Sequence, residues 1–224
     1  MTRRHEILRE MGLTPVWRLR NAEVSQPEPF TPEKAWTELK QVVPACTACG
    51  LHKTRTQTVL GVGDEQADWL FIGEAPGAEE DRLGEPFVGQ AGKLLDNMLA
   101  AISLKRGANV YIANLVKCRP PGNRNPEPQE ALQCEPYLHR QIELIRPKLI
   151  IALGKVAAAN LLASDASVAS MRGKVHQYRG IPLIVTYHPA YLLRSLADKA
   201  KAWSDLCFAV RFMKDLQISK TATI

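Results

Sequence analysis

With 224 residues, 46% of them hydrophobic, the chain can enclose a full core in one large α/β domain. Its net charge of +6 is a moderate bias toward polyanions. No apolar run reaches the ~18 residues of a membrane span, and "MTRRHEILREMG" has neither an apolar h-region nor a small-residue cleavage site, so a cytoplasmic protein is expected. In chain order, residues 1–20 read as a short basic tail, five arginines against two glutamates. Residues 21–32, "NAEVSQPEPFTP", read as a linker, which leaves 33–224 for the main domain. Thr31 is placed to cap a helix with Pro32 at its first position, ending before "ACTACG". Four apolar runs follow, at 68–73, 110–116, 148–154 and 183–187, rich in Val, Ile and Leu and without strict alternation. Such runs fit strands buried on both faces of a parallel sheet. Helical patterns lie between and after them, at 91–102, 128–145, 155–162 and about 196–216. The expected class is α/β, a three-layer α/β/α arrangement around a central four-stranded parallel sheet.

Ligands of such sheets sit beyond the carboxyl ends of the strands. The segments to read are therefore 74–81, 114–124, 154–155 and 188–194. The first is unusual. "FIGEAPGAEED" has the strand–glycine–helix form of an anion cradle, yet it carries Glu74, Glu79, Glu80 and Asp81. Carboxylates there disfavour a phosphate and hence a flavodoxin-like nucleotide site. Acids can also simply complement a helix N-terminus, a reading that applies to Glu79 and Asp81.

Five cysteines in a reducing compartment argue for ligation over disulfides. Cys46 and Cys49 form a CxxC pair, Cys118 follows the second strand and Cys134 falls in the next helix. Four thiolates can hold zinc or an iron–sulfur cluster, though the long gap is not a zinc-ribbon spacing. The alternative, small core residues, suits Cys207 on the last helix better than Cys118, which sits in the polar, proline-rich "KCRPPGNRNP". A centre at these four positions would pin the N-terminal helix to the loop after the second strand.

Taken together, "GEAPGAEED", "PFVGQAG", "NLVKCRPPGNRNP" and "HPAYLLR", with the four cysteines, resemble the family 4 uracil-DNA glycosylases, an iron–sulfur branch of the uracil-DNA glycosylase superfamily. The resemblance covers about residues 40–216. It implies a monofunctional hydrolase of base excision repair that flips uracil out of DNA, hydrolyses its N-glycosidic bond and leaves an abasic site. It implies a 4Fe-4S cluster on Cys46, Cys49, Cys118 and Cys134. By position, Gly73, Glu74 and Ala75 would lie at the base edge and the water site. Since alanine cannot orient water, that task would fall to Glu80, with Glu79 and Asp81 as the alternatives. Phe87 would stack on the flipped base, against the alternative of a core phenylalanine. Asn114 would read uracil O4 and N3–H, against the alternative of a strand cap. His188 would donate to uracil O2 as charge builds there. Tyr191, Leu192 and Leu193 would form the wedge that fills the vacated stack. Arg119, Arg124, Lys155 and Arg194 would contact phosphates. One variant of the superfamily forms a covalent adduct through a histidine insertion near the second strand; "CRPPGNRNP" has none, and turnover without a stable adduct is expected.

The tail "MTRRHEILREMGLTPVWRLR" resembles the N-terminal peptide of the bacterial DNA polymerase III psi subunit. That implies docking on the clamp loader or the chi subunit, with Trp17 as anchor. A helix packed on its own domain is the plainer reading. Monomeric, nucleoid-associated behaviour completes the expectation. A non-catalytic iron–sulfur DNA- or replisome-binding protein is the alternative function.

Overall fold

Trp69, Leu70, Phe71, Ile72 and Gly73 form a strand in which every residue is buried. Two layers cover it. Leu70 and Ile72 join an apolar cluster with Trp36, Leu138, Ile142 and Leu161. Trp69 and Phe71 join a second cluster with Leu95, Leu99, Ala209 and Met213 on the other face. Successive strand side chains point to opposite faces, so two covered faces give an unbroken apolar run. The structure, a computed structural model, describes residues 3–13 and 31–221. The chain divides into two units, Met1–Thr31 and Pro32–Ile224. The first contributes helix α1 (Arg3–Glu10). Trp17, the proposed anchor, lies outside the described residues, as does most of the linker.

The second unit opens with α2 (Pro32–Val42), which begins at the expected proline. Strands β1 (Val62–Gly63) and β2 (Trp69–Gly73) lead into α3 (Ala78–Leu83) and α4 (Gln90–Ala101). Strand β3 (Val110–Asn114), α5 (Pro128–Ile145), β4 (Leu149–Leu153) and α6 (Gly154–Leu162) follow. A short α7 (Val168–Met171), the pair β5 (Val175–Tyr178) and β6 (Ile181–Thr186), α8 (Pro189–Leu192) and α9 (Lys199–Thr221) complete it. The strand order is β1-β3-β2-β4-β6-β5. The inner four are parallel, in the register Phe71–Ile112, Phe71–Ile151 and Ile151–Ile184. Helices α2, α5 and α6 feed the first cluster, and α4 and α9 the second, giving three layers.

The expected four-stranded parallel sheet is therefore the centre of a six-stranded one. The edges β1 and β5 pair antiparallel with β3 and β6. Strand β1 has two residues, too few to show a pattern. The second, "VHQY", alternates exposed and half-buried, as an edge does. It turns back through Arg179 and Gly180, both at positive φ, 51° and 81°. The last helix starts at Lys199, after a short 3₁₀ turn over Leu196–Asp198. Cys207, expected to be buried, is only partly so; the buried stripe of α9 runs through Leu206, Ala209 and Met213 beside it.

A candidate active site at the carboxyl ends of the strands

Going from β2 to β3 the chain steps to one side of β2, and β4 then lies on the other. The crevice outside the strand ends at such a switch is where a ligand fits. A cavity of about 680 Å³ opens there. Glu74, Ala75, Glu80, Phe87, Asn114 and His188 all line it, together with Arg124, Lys155, Tyr191 and Arg194. Its floor is Gly73. A Cβ on Gly73 would run into the Asn114 side-chain oxygen and come within 2.6 Å of Phe87 Cζ. Glycine here lets the amide and the ring close over the strand end.

Phe87 is buried and sits at φ 56°, a conformation that bulky residues rarely adopt. Three things hold it there. Arg106 donates to Phe87 O and to Pro86 O, both at 2.8 Å. Glu80 Oε1 accepts the main-chain N–H groups of Val88 and Gly89, at 3.0 and 3.1 Å. Gly92 leaves room for the Phe87 carbonyl, which any Cβ there would strike. Backbone strain of this kind persists only where the surroundings over-determine it. Arg106, in "LKRGANV", lies in no motif, and nothing in the sequence pointed to it.

Asn114 is 2% exposed, and its Oδ1 has no hydrogen-bond partner. A buried acceptor without a donor is costly and calls for an explanation. Across the cavity, His188 lies with its ring 5.5 Å from that of Phe87. His188 Nδ1 accepts the N–H of Ala190 at 3.1 Å, capping α8. The proton of the neutral ring therefore sits on Nε2, which is left free to donate. Burial pushes the His188 pKa down to about 4, with Arg194 assisting and Glu80 opposing, so the ring is neutral at ordinary pH. Burial also raises the Glu74 carboxyl above its usual value.

The acids of the turn separate. Glu80 is the splint described above, and its Oε2 lies where a Cβ on Gly77 would approach to 2.6 Å. Asp81 is buried and accepts the Thr56 and Gln57 N–H groups, so its role is structural. Glu79 pairs with Arg82 on the surface.

The expected DNA contacts divide as well. Lys155 and Arg194 are exposed at the cavity and suit phosphates. Arg124 does not: Glu130 takes its guanidinium in a two-point bond at 2.7 and 2.8 Å, which neutralises it. Arg119 donates to Asn123 Oδ1 and lies outside the lining. The three-residue wedge also fails at its centre. Leu192 is 1% exposed, packed with Tyr187 and Ala202. Tyr191 stacks on Tyr187 and donates to Asp198. Leu193, 43% exposed, is the member free to insert.

Apart from this cavity, Cys46, Cys49, Cys118 and Cys134 border one small hollow. Among the described residues no group of His, Cys, Asp or Glu is gathered tightly enough for a single metal ion. A cluster gives each thiolate its own iron and so spaces the sulfurs more widely. The donors around the sulfurs fit such a group: Arg55 Nη1 on Cys118 Sγ at 3.0 Å, and the Lys117 N–H on Cys134 Sγ at 3.2 Å.

The profile of the uracil DNA glycosylase superfamily matches residues 60–207. A type-4 uracil-DNA glycosylase of Archaeoglobus fulgidus is 47% identical over 164 residues, 70% of this chain and 82% of that protein. Those of Thermotoga maritima and Pyrobaculum aerophilum are each 41% identical, over 77% and 75% of this chain and 90% of each relative. Sequence likeness and strand-end cavity agree: the chain belongs to the uracil DNA glycosylase superfamily, among its type-4 members.

Proposed function

We propose that the chain is a monofunctional uracil-DNA glycosylase that hydrolyses the bond between uracil N1 and deoxyribose C1′ in DNA. The observation that carries this is the orphaned Oδ1 of Asn114, a residue that lines one cavity with Phe87 and a neutral His188. A flipped uracil supplies what that oxygen lacks, the N3–H. Cytosine offers a lone pair at N3 and leaves the acceptor unpaired, and such a mismatch discriminates by up to about 10⁴-fold. The Phe87 ring stacks on the base, and His188 Nε2–H donates to O2. As the N1–C1′ bond breaks, its electron pair passes to the base, and the donor stabilises the anion where charge collects. A water adds to C1′, and its proton is lost as the abasic sugar forms. Glu74 and the free oxygen of Glu80 order that water and offset the positive charge of the sugar. Lys155 and Arg194 hold phosphates, and Leu193 fills the vacated stack.

Cys46, Cys49, Cys118 and Cys134 are proposed to hold a 4Fe-4S cluster, which when bound cross-links the loop after α2 to the segment after β3. Residues 1–20 are proposed to dock on the clamp loader or chi subunit of DNA polymerase III, on the strength of the sequence resemblance. The enzyme is proposed to act as a nucleoid-associated monomer. The test of function is strand scission by alkali after incubation with a uracil-containing oligonucleotide. Wild type is expected to yield abasic sites, and His188→Ala and Asn114→Ala to fall by about 10²–10³ in rate. Binding of the oligonucleotide by wild type without excision would overturn the reading in favour of a non-catalytic binder.

A further inference from the structure

Lys117 is 1% exposed, the one lysine buried to this degree among the described residues. Its ammonium donates to the main-chain carbonyl of Asn114 at 2.7 Å, and among the described residues no carboxylate pairs with it. A lone interior charge of this kind is strongly unfavourable unless something of opposite sign lies near. The same lysine borders the hollow of the four cysteines, and its N–H donates to Cys134 Sγ. Four thiolates around a 4Fe–4S core carry net negative charge, which is the missing partner. We propose that Lys117 is a positioning residue joining the cysteine centre to base recognition: the residue borders the hollow while its ammonium holds the Asn114 carbonyl, so that it balances the charge of the one and fixes the other. Asn114 closes β3 with its Oδ1 held for the base, so a shift of its main chain displaces that acceptor. Loss of the centre would leave the ammonium without its counter-charge and loosen the base-reading end of the strand. This rests on the uracil-excision reading of the cavity.

The test uses the full chain purified with its iron, as wild type, Lys117→Met and Lys117→Gln. Wild-type excision is scored first, and its absence removes the functional reading while the redox measurement still judges the charge balance. Film voltammetry of the iron centre should give more negative potentials in both variants, since each removes a nearby positive charge. Uracil kcat/KM should fall by about ten- to hundredfold in Lys117→Met, and recover at least in part in Lys117→Gln, whose amide can still donate to the Asn114 carbonyl. A variant that folds by circular dichroism yet no longer retains iron supports the same charge balance. If Lys117→Met does not fold, Lys117→Gln alone decides: a more negative potential upholds the proposal, and an unchanged one overturns it. Unchanged potentials in both variants, or a Lys117→Met enzyme with wild-type kcat/KM, would also overturn it.

Discussion

Acidification tests the neutral imidazole directly. The His188 pKa is about 4 in the folded chain against an ordinary 6.5, chiefly through burial. Between those values the unfolded chain binds a proton that the folded chain refuses. Stability due to this group is thus fully present above pH 6.5 and falls as the pH drops toward 4. The gap of 2.5 units corresponds to about 3 kcal/mol. Glu74 acts in the opposite sense, because burial raises its pKa and its burden eases at low pH. The measurement is therefore a difference: urea unfolding of wild type and His188→Gln from pH 7.5 down to pH 4. Wild type should lose up to about 3 kcal/mol relative to the variant across that window. Excision, if His188 works as a neutral donor, should show no step near pH 6.5 from this residue. Parallel stability curves, or a wild-type excision rate with a histidine-like midpoint near 6.5, would refute the argument.

Three substitutions probe the shape of the site. Gly73→Ala should fold but lose excision by about ten- to a thousandfold, since the added methyl must displace the Asn114 amide or the Phe87 ring; wild-type kinetics in this variant would mean that neither group reads the base. Leu193→Ala should keep wild-type stability and lose activity on duplex more than on single-stranded substrate, whereas Leu192→Ala should lose about 2–5 kcal/mol of stability by chemical denaturation.

The central strands were legible because both faces are covered. Apolar runs such as "WLFIG" and "LIIAL" admit few other readings at that length, and their order with the helices led to the strand-end segments. The residues of the cavity followed from those segments and from the resemblance together. What the sequence hid depends on through-space partners. Arg106 reaches Phe87 from the loop after α4, with no local pattern to announce it. Arg124 looked free until Glu130, in the first turn of α5, was seen to hold it. Leu192 and Leu193 are neighbours of the same type, and only the turn of α8 decides which faces inward. Nothing in the sequence set Lys117 apart; its burial shows only in the fold, where its N–H meets Cys134 of α5 and its ammonium turns back to the Asn114 carbonyl.

The acidic turn after β2 shows the same limit more sharply. As a string it is one negative patch; in the fold it is four separate contacts. Asp81 ties down the chain at Thr56 and Gln57, and Glu79 meets Arg82 in solvent. Glu80 gives one oxygen to the backbone that seats Phe87 and keeps the other beside Gly77. Glu74 lines the cavity, half-buried and reluctant to ionise. The field at a bound sugar therefore comes from Glu74 and one edge of Glu80, against Lys155 and Arg194 at the rim. That arrangement suits DNA better than a free nucleotide. In the proposed reaction the cations would grip the phosphates that flank the target, and the carboxylates would face the one part of the substrate that turns positive as the base departs.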